Sequence, residues 1–254
     1  MNLPETPSFS LVGKRALVVG ASSGIGSACA VALAQHGAAV TLAARRKSRL
    51  VDLKGQMLLK GWSANTLEID VTDVKDTALT LANSEAFDIL VNSAGIAKHS
   101  NSKDTSPHDF ETVMETNLRG AYFLTQAVAK KLIAAGKTGS LINISSQMGL
   151  VGGQERAVYC ASKHAVEGFS KAMAIEFGPS NIRVNTICPT FILTEMTRNT
   201  LEQPDKRAWI ESKIKLGRMG KVEDIMGAVV YLASDASALV TGSALLIDGG
   251  WTAG

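Results

Sequence analysis

Short runs of aliphatic and β-branched residues recur along the chain, each followed by a longer stretch whose apolar positions lie three or four apart. The runs fall at 16–19, 39–42, 66–69, 89–91, 141–144, 184–187 and 244–247. Several are almost continuously apolar, the pattern of strands covered on both faces. Helical patterns begin near Gly24, fill about 107–134 and run about 157–177, where Val166, Phe169, Met173 and Phe177 form one stripe. Gly178 followed by Pro179 predicts the end of that helix. Strand alternating with helix over nearly the whole length predicts an α/β fold, a doubly wound parallel sheet of about seven strands with helices on both faces.

No stretch rich in Pro, Gly or Ser marks a linker, so 1–254 is expected to form a single domain. The least regular segment, about 191–219, is polar and charged and follows the sixth strand. Open α/β sheets bind ligands beyond the carboxyl ends of their strands, so this segment is read as a substrate lid, with an ordinary surface helix pair as the alternative.

Composition narrows the function. Twenty-six Lys and Arg against 23 Asp and Glu leave a formal charge of +3, too small and too dispersed for a nucleic-acid binder. Cys29, Cys160 and Cys188 are odd in number and widely spaced, which excludes a disulfide scaffold and a thiolate zinc site and points to a reducing, cytoplasmic setting. His36, His99, His108 and His164 lack metal-site spacing, so no metal is expected. No run of about 18 apolar residues predicts a membrane span, and the first residues predict no secretory leader.

After the first strand comes Gly20-Ala-Ser-Ser-Gly24-Ile-Gly26, opening a helix. A tight strand-to-helix turn of this kind brings backbone N–H groups and the positive helix end close to a pyrophosphate. The second strand ends in Ala44 and is followed by Arg45 and Arg46. A carboxylate there would hold a ribose 2′-hydroxyl, whereas arginine favours a 2′-phosphate. NADP(H) is therefore preferred, with NAD(H) possible, and Lys47 and Arg49 are read as solvated.

Tyr159 and Lys163 lie four apart and share a face on a helix. A free tyrosine has a pKa near ~10, and a nearby cation would favour its phenolate. Ser146, thirteen residues before Tyr159 on the loop after the fifth strand, could hydrogen-bond a substrate oxygen.

Taken together, these stretches resemble the classical short-chain dehydrogenases/reductases over essentially the full length. The resemblance is carried by the glycine turn, Asp70-Val71, Asn92-Ser-Ala-Gly95, Asn117, Asn143-Ile-Ser-Ser146, Tyr159-Cys-Ala-Ser-Lys163, Cys188-Pro-Thr190 and Leu246-Ile-Asp-Gly-Gly250. It implies a Rossmann-like fold and hydride transfer between NADP(H) and a small carbonyl/alcohol substrate, in the likeness of an NADPH-dependent ketone reductase. Tyr159 would be the general acid/base, Lys163 would lower its pKa and bind the nicotinamide ribose, and Ser146 would orient the substrate. Asn117 would sit at a helix distortion and hold a water of the proton relay. The cofactor would contact Gly20, Ser22, Ser23, Gly24, Ile25, Gly26, Arg45 and Arg46, then Asp70 and Val71 at the adenine. Asn92, Ala94 and Gly95 would line it further on, and Pro189, Ile192 and Thr194 would meet the nicotinamide. A homotetramer is implied as well.

The sequence departs from the family pattern at Val19, Ser93 and Thr190, and Ser23 stands where many NADP-dependent members carry a basic residue. Gln147, Met148, Gly153, Gln154, Glu155, Phe191, Met196 and Trp209 are the residues expected to shape the substrate pocket. An NAD-dependent alcohol or sugar dehydrogenase, a 3-oxoacyl-thioester reductase and a non-catalytic nucleotide sensor are the rival readings. Retention of Tyr159, Lys163 and Ser146 speaks against the last.

Overall fold

In the computed structural model, which describes residues 2–254, seven parallel strands form one sheet in the order β3-β2-β1-β4-β5-β6-β7. They are β1 (Arg15–Val19), β2 (Ala39–Ala44), β3 (Ala64–Glu68), β4 (Ile89–Asn92), β5 (Gly139–Ile144), β6 (Ile182–Pro189) and β7 (Ala244–Ile247). The apolar runs are explained by alternation, since successive side chains of a strand enter opposite layers. In β1, Ala16 and Val18 enter one core while Leu17 and Val19 enter the other. Likewise Ile142 and Ile144 of β5 face one layer and Leu141 the second. Covering both faces leaves little room for a polar side chain, so the strands read as unbroken hydrophobic segments.

One layer is made by α1 (Gly24–Gln35), α2 (Lys47–Leu59) and α9 (Glu223–Ala233), which supply Cys29, Leu33, Leu50, Met57, Ile225 and Val229. The opposite layer holds α3 (Val74–Asn83), α5 (Ala121–Ala134) and α6 (Ala157–Phe177), with Leu81, Leu124, Leu132 and Met173 against the sheet. The predicted helix 107–134 is divided. It runs as α4 (Pro107–Met114), a π-helical turn (Glu115–Gly120) and α5. The 157–177 helix has the predicted limits, but its left-handed terminator is Asn181, φ 53°, after a short turn through Gly178.

The chain reverses direction across the sheet between β3 and β4, which lie on opposite sides of β1 and β2. The crevice that this opens between the carboxyl ends of β1 and β4 is where such sheets bind nucleotides. Segment 191–219 lies over that edge and contains two helices, α7 (Arg198–Leu201) and α8 (Pro204–Lys213). Together with Met148, Cys160 and Phe191, Ile210 and Ile214 form a third, smaller core beneath it.

Candidate active site

The crevice is a cleft of about 470 Å³, within the usual range of small-molecule sites. Its floor is built by the glycine turn. Gly20 has φ +82° and comes so near the next strand that a Cβ would stand 2.7 Å from the Ser93 carbonyl. The left-handed backbone and the close approach both require glycine. Gly26 serves the packing of the helix. A Cβ there would lie 2.2 Å from the Gly20 carbonyl oxygen, so its absence lets α1 press against the turn. At the start of α1, the Ser23 side chain makes no cap hydrogen bond and no acidic residue occupies the first turn. The orphan N–H groups and the positive helix end are thus left for an anion, which fits a dinucleotide pyrophosphate.

Arg46 donates through Nη2 to Ser22 Oγ at 2.8 Å and to Ser23 Oγ at 2.9 Å. Arg45 lies 3.8 Å from Asp70, whose carboxylate is fixed by the Thr72 amide and hydroxyl. Glu195 completes this end. It takes two hydrogen bonds from Arg49 Nη1, at 2.8 and 3.0 Å, and stands 3.7 Å from Arg46. Arg49 is therefore not merely solvated, and Glu195, which carries no motif in the sequence, lines the cleft.

At the other end the cleft reaches Tyr159 and Lys163. Both project from α6, one turn apart, and Lys163 Nζ sits 5.7 Å from the Tyr159 ring centroid. Lys163 is buried and donates to the Ile144 carbonyl at 2.9 Å. Burial pulls its pKa down to about 8. Tyr159 departs from the expectation of a cation-lowered phenol: burial pushes its pKa up, opposed by the Ser146 hydroxyl and then by the Arg156 charge. In the protein alone, the ammonium is engaged with Ile144, and the cation acting on the phenol is Arg156. Ser146 is buried, accepts from the Met148 amide at 3.1 Å and donates to Gln147 Oε1 at 3.4 Å.

Asn117 lies in the π-helical turn, as the resemblance implies. Its amide nitrogen donates to the Ile96 carbonyl at 2.9 Å and to Ser162 Oγ at 3.1 Å, and its oxygen accepts from the Ile96 amide at 2.8 Å. Both N–H groups of the side chain are thus committed to tying the loop after β4 to α6, which leaves it one free lone pair, on the oxygen. An added residue's worth of winding frees backbone carbonyls at such a turn as well.

Fourteen of the expected cofactor residues line the cleft: Gly20, Ser22, Ser23, Gly24, Ile25, Arg45, Arg46, Asp70, Val71, Ala94, Gly95, Tyr159, Lys163 and Thr194. Gly26, Asn92, Pro189 and Ile192 stand behind it. Asn92 is buried, donates to Asn143 Oδ1 at 3.2 Å and accepts from the Ala94 amide, so it shapes the loop that does line the cleft. Pro189 closes β6, and Ile192 is buried in a bridge to Gly220.

A second, smaller pocket opens on the far side of Tyr159 and Ser146. Gln147, Met148, Phe191 and Met196 line it as expected, whereas Gly153, Gln154, Glu155 and Trp209 do not. Trp209 instead packs edge-on against Trp251, 5.6 Å between centroids, and Trp251 stacks on Phe191 at 5.7 Å. His99, Arg156 and Thr190 join the lining. Among the described residues, no group of three or more His, Cys, Asp and Glu side chains could hold a metal ion, and no helix is long and apolar enough to cross a membrane.

A nucleotide cleft at a sheet switch point, ending on a tyrosine, a lysine and a serine, defines a dinucleotide-dependent oxidoreductase. Comparison with known proteins agrees. A family model described as enoyl-(acyl carrier protein) reductase matches residues 20–252. D-erythrulose reductase of Gallus gallus is 37% identical over 245 residues, spanning 96% of this chain and 98% of its own. Gluconate 5-dehydrogenase of Gluconobacter oxydans is 36% identical over 248 residues, 96% of each chain. A gluconate 5-dehydrogenase from Burkholderia cenocepacia J2315, solved in complex with NADP and tartrate, is 33% identical with a TM-score of 0.93, over 97% of this chain and 98% of that one. The chain belongs to the short-chain dehydrogenase/reductase family and is an oxidoreductase of carbonyl/alcohol pairs.

Proposed function

We propose that the protein reduces a ketone on a small polyhydroxylated substrate with NADPH, and oxidises the corresponding secondary alcohol in reverse. The observation that carries this reading is the meeting of the nucleotide cleft and the smaller pocket at Tyr159. When bound, the dinucleotide supplies or accepts the hydride. The protein supplies position and the proton. Tyr159, kept protonated by burial, gives its phenolic proton to the carbonyl oxygen as the carbon gains hydride. Ser146 donates to the same oxygen. Lys163 stabilises the phenolate that remains and holds the ribose, for which its ammonium must turn away from Ile144. Asn117 positions Ile96 and α6, and the π-turn backbone offers the water contact. Arg45 and Arg46 hold the 2′-phosphate.

Segment 191–219 is read as the lid over both pockets, supported by Thr194, Glu195 and Met196 on the cleft and Phe191, Thr197 and Thr200 on the small pocket. Self-association as a tetramer is supported by exposed Phe110, Tyr122 and Phe123 along α4 and α5 and Leu246 on the edge strand β7. Three buried free thiols accord with a reducing cytoplasm. The sugar-related names of the relatives favour a polyhydroxylated substrate. The test is NADPH oxidation against a panel of ketoses and oxo acids, with NADH and Tyr159→Phe in parallel. Turnover that vanishes in the Phe variant is expected, and turnover that persists there overturns the assignment of Tyr159.

A further inference from the structure

The smaller pocket holds polar groups that the hydride chemistry leaves unused. Gln147 is 1% exposed, and its Nε2 has no hydrogen-bond partner among the described residues. Thr190 Oγ1 is likewise buried and unpartnered. Both residues line the pocket. Buried polar groups are rarely left unpaired, because each forfeits the hydrogen bond it had in water. Each is a donor without an acceptor, on a residue of the same pocket.

Arg156 faces the same space. Its guanidinium lies 5.0 Å from the Phe191 ring centroid, and Nη1 donates to a ring nitrogen of His99 at 2.7 Å. Among the described residues no carboxylate comes within 4.0 Å of it, since the adjacent Glu155 pairs with Lys206 at 3.6 Å. His99 brings no countercharge. Partial burial and the Arg156 charge push its pKa down to about 4, leaving it neutral near pH 7. Burial also draws the Arg156 pKa below its usual value, offset only in part by the nearby Tyr159, Cys160 and Glu155.

The surroundings hold the arginine ready. Glu155 adopts φ +60°, a left-handed conformation uncommon outside glycine, and its carbonyl accepts from the Ser100 amide at 3.2 Å. That bond ties the His99 loop to the Arg156 loop. Arg156 is the N-cap of α6, and no acidic residue occupies that helix's first turn, so the helix end adds positive potential.

We infer that the substrate carries a carboxylate, bound by Arg156 with Gln147 and Thr190 beside it, so that the preferred class is a sugar-derived oxo acid and its hydroxy acid. A guanidinium fits a carboxylate in bidentate fashion, and the neighbouring amide and hydroxyl suit a flanking hydroxyl group. Three residues further on, Tyr159 faces the carbonyl, so the acid group fixes which oxygen the phenol meets. The inference rests on the reductase reading above.

The test compares short sugar-derived oxo acids with their carboxamides, the same skeletons without charge, in wild type, Arg156→Gln and Arg156→Lys. Wild type is expected to favour the acids in kcat/KM by about tenfold or more, the value of a charge-assisted hydrogen bond. Arg156→Gln is expected to erase most of that ratio, chiefly through KM, and Arg156→Lys to keep part of it. NADPH fluorescence in each variant shows that the cleft is folded. Tartrate titrated by calorimetry into the enzyme with NADP+ gives a readout that needs no turnover. Wild type preferring the amides, or an unchanged acid-to-amide ratio in Arg156→Gln, overturns the inference while the reductase reading stands. Tartrate binding that Arg156→Gln abolishes, with no ketone or oxo acid reduced, keeps the carboxylate site and sinks the reductase reading. Neither binding nor turnover sinks both.

Discussion

Glu195 stands 3.7 Å from Arg46 and hydrogen-bonds Arg49, so a carboxylate from segment 191–219 already occupies the arginine edge of the nucleotide cleft. A 2′-phosphate has to displace or share that partner. Arg46→Ala is accordingly expected to raise the NADPH Kd by about tenfold, an exposed charge-assisted contact being worth less than a buried one. NADH binding should move by less than about twofold. Glu195→Gln should tighten NADPH while leaving NADH alone. Fluorescence titration of both coenzymes decides this, and equal losses for the two in Arg46→Ala would remove the phosphate role.

Tyr159→Phe deletes one oxygen at the junction of the two pockets. The expected result is a fall in kcat of about 10²–10⁴, the range for a lost general acid, with NADPH affinity nearly intact. Single-turnover mixing with NADPH separates the two. A variant that binds NADPH poorly would mean that the ring, not the proton, was being tested.

Lys163 carries its charge below about pH 8 and loses it above, because burial lowers its pKa to about 8. Tyr159, pushed up by burial, stays protonated through the same window. Reduction uses the Tyr159 proton and the Lys163 charge, so kcat/KM for the ketone should be level near neutrality and fall about tenfold per unit above about pH 8. A profile level to pH 10 would exclude this assignment.

The same shift has a stability consequence. A depressed lysine pKa means that the unfolded chain binds more protons between about 8 and the ordinary lysine value of 10.5, so this group costs stability below about pH 8. The cost is relieved as pH rises through that window. Lys163→Met should therefore be inactive yet melt higher than wild type at pH 7, and calorimetry at pH 7 and 10 should show the gain shrinking at the higher pH.

Gly26 and Gly55 make an opposed pair. A Cβ at Gly26 would meet the Gly20 carbonyl oxygen at 2.2 Å, whereas at Gly55, inside α2, nothing lies within 4 Å. Gly26→Ala should cost roughly 1–3 kcal/mol through overpacking. Gly55→Ala should gain roughly 0.5–1 kcal/mol through helix propensity. Thermal melts should move in opposite directions by about 2–4 °C per kcal/mol for a chain of this size.

What was legible in the sequence was whatever left a periodic or local trace. The strands stood out because Leu17 and Val18 serve opposite layers and both must be apolar. The glycine turn, Tyr159 and Lys163 were readable because their spacing is fixed by one turn or one helix face. The π-helical turn at 115–120 left no periodic break, since it inserts winding without changing the apolar character of the helix. Glu195, His99 and Arg156 were invisible as site residues for another reason. Glu195 pairs with Arg49 across 146 residues, and Arg156 meets His99 across 57, so each depends on tertiary placement. The preference of Lys163 for the Ile144 carbonyl is likewise a matter of distance, which spacing along a helix cannot supply.

Trp251 packs against Phe191 in the wall of the small pocket, and its turn is fastened by Asp248, which accepts from the Gly250 amide and from the amide and hydroxyl of Thr252. The far carboxyl-terminal stretch thus stands behind the small pocket and braces the phenylalanine that lines it. Residues 2–10, exposed throughout, touch neither pocket. A purification handle or fluorescent fusion belongs at the amino end, because one joined after Gly254 would tug on the indole that backs Phe191.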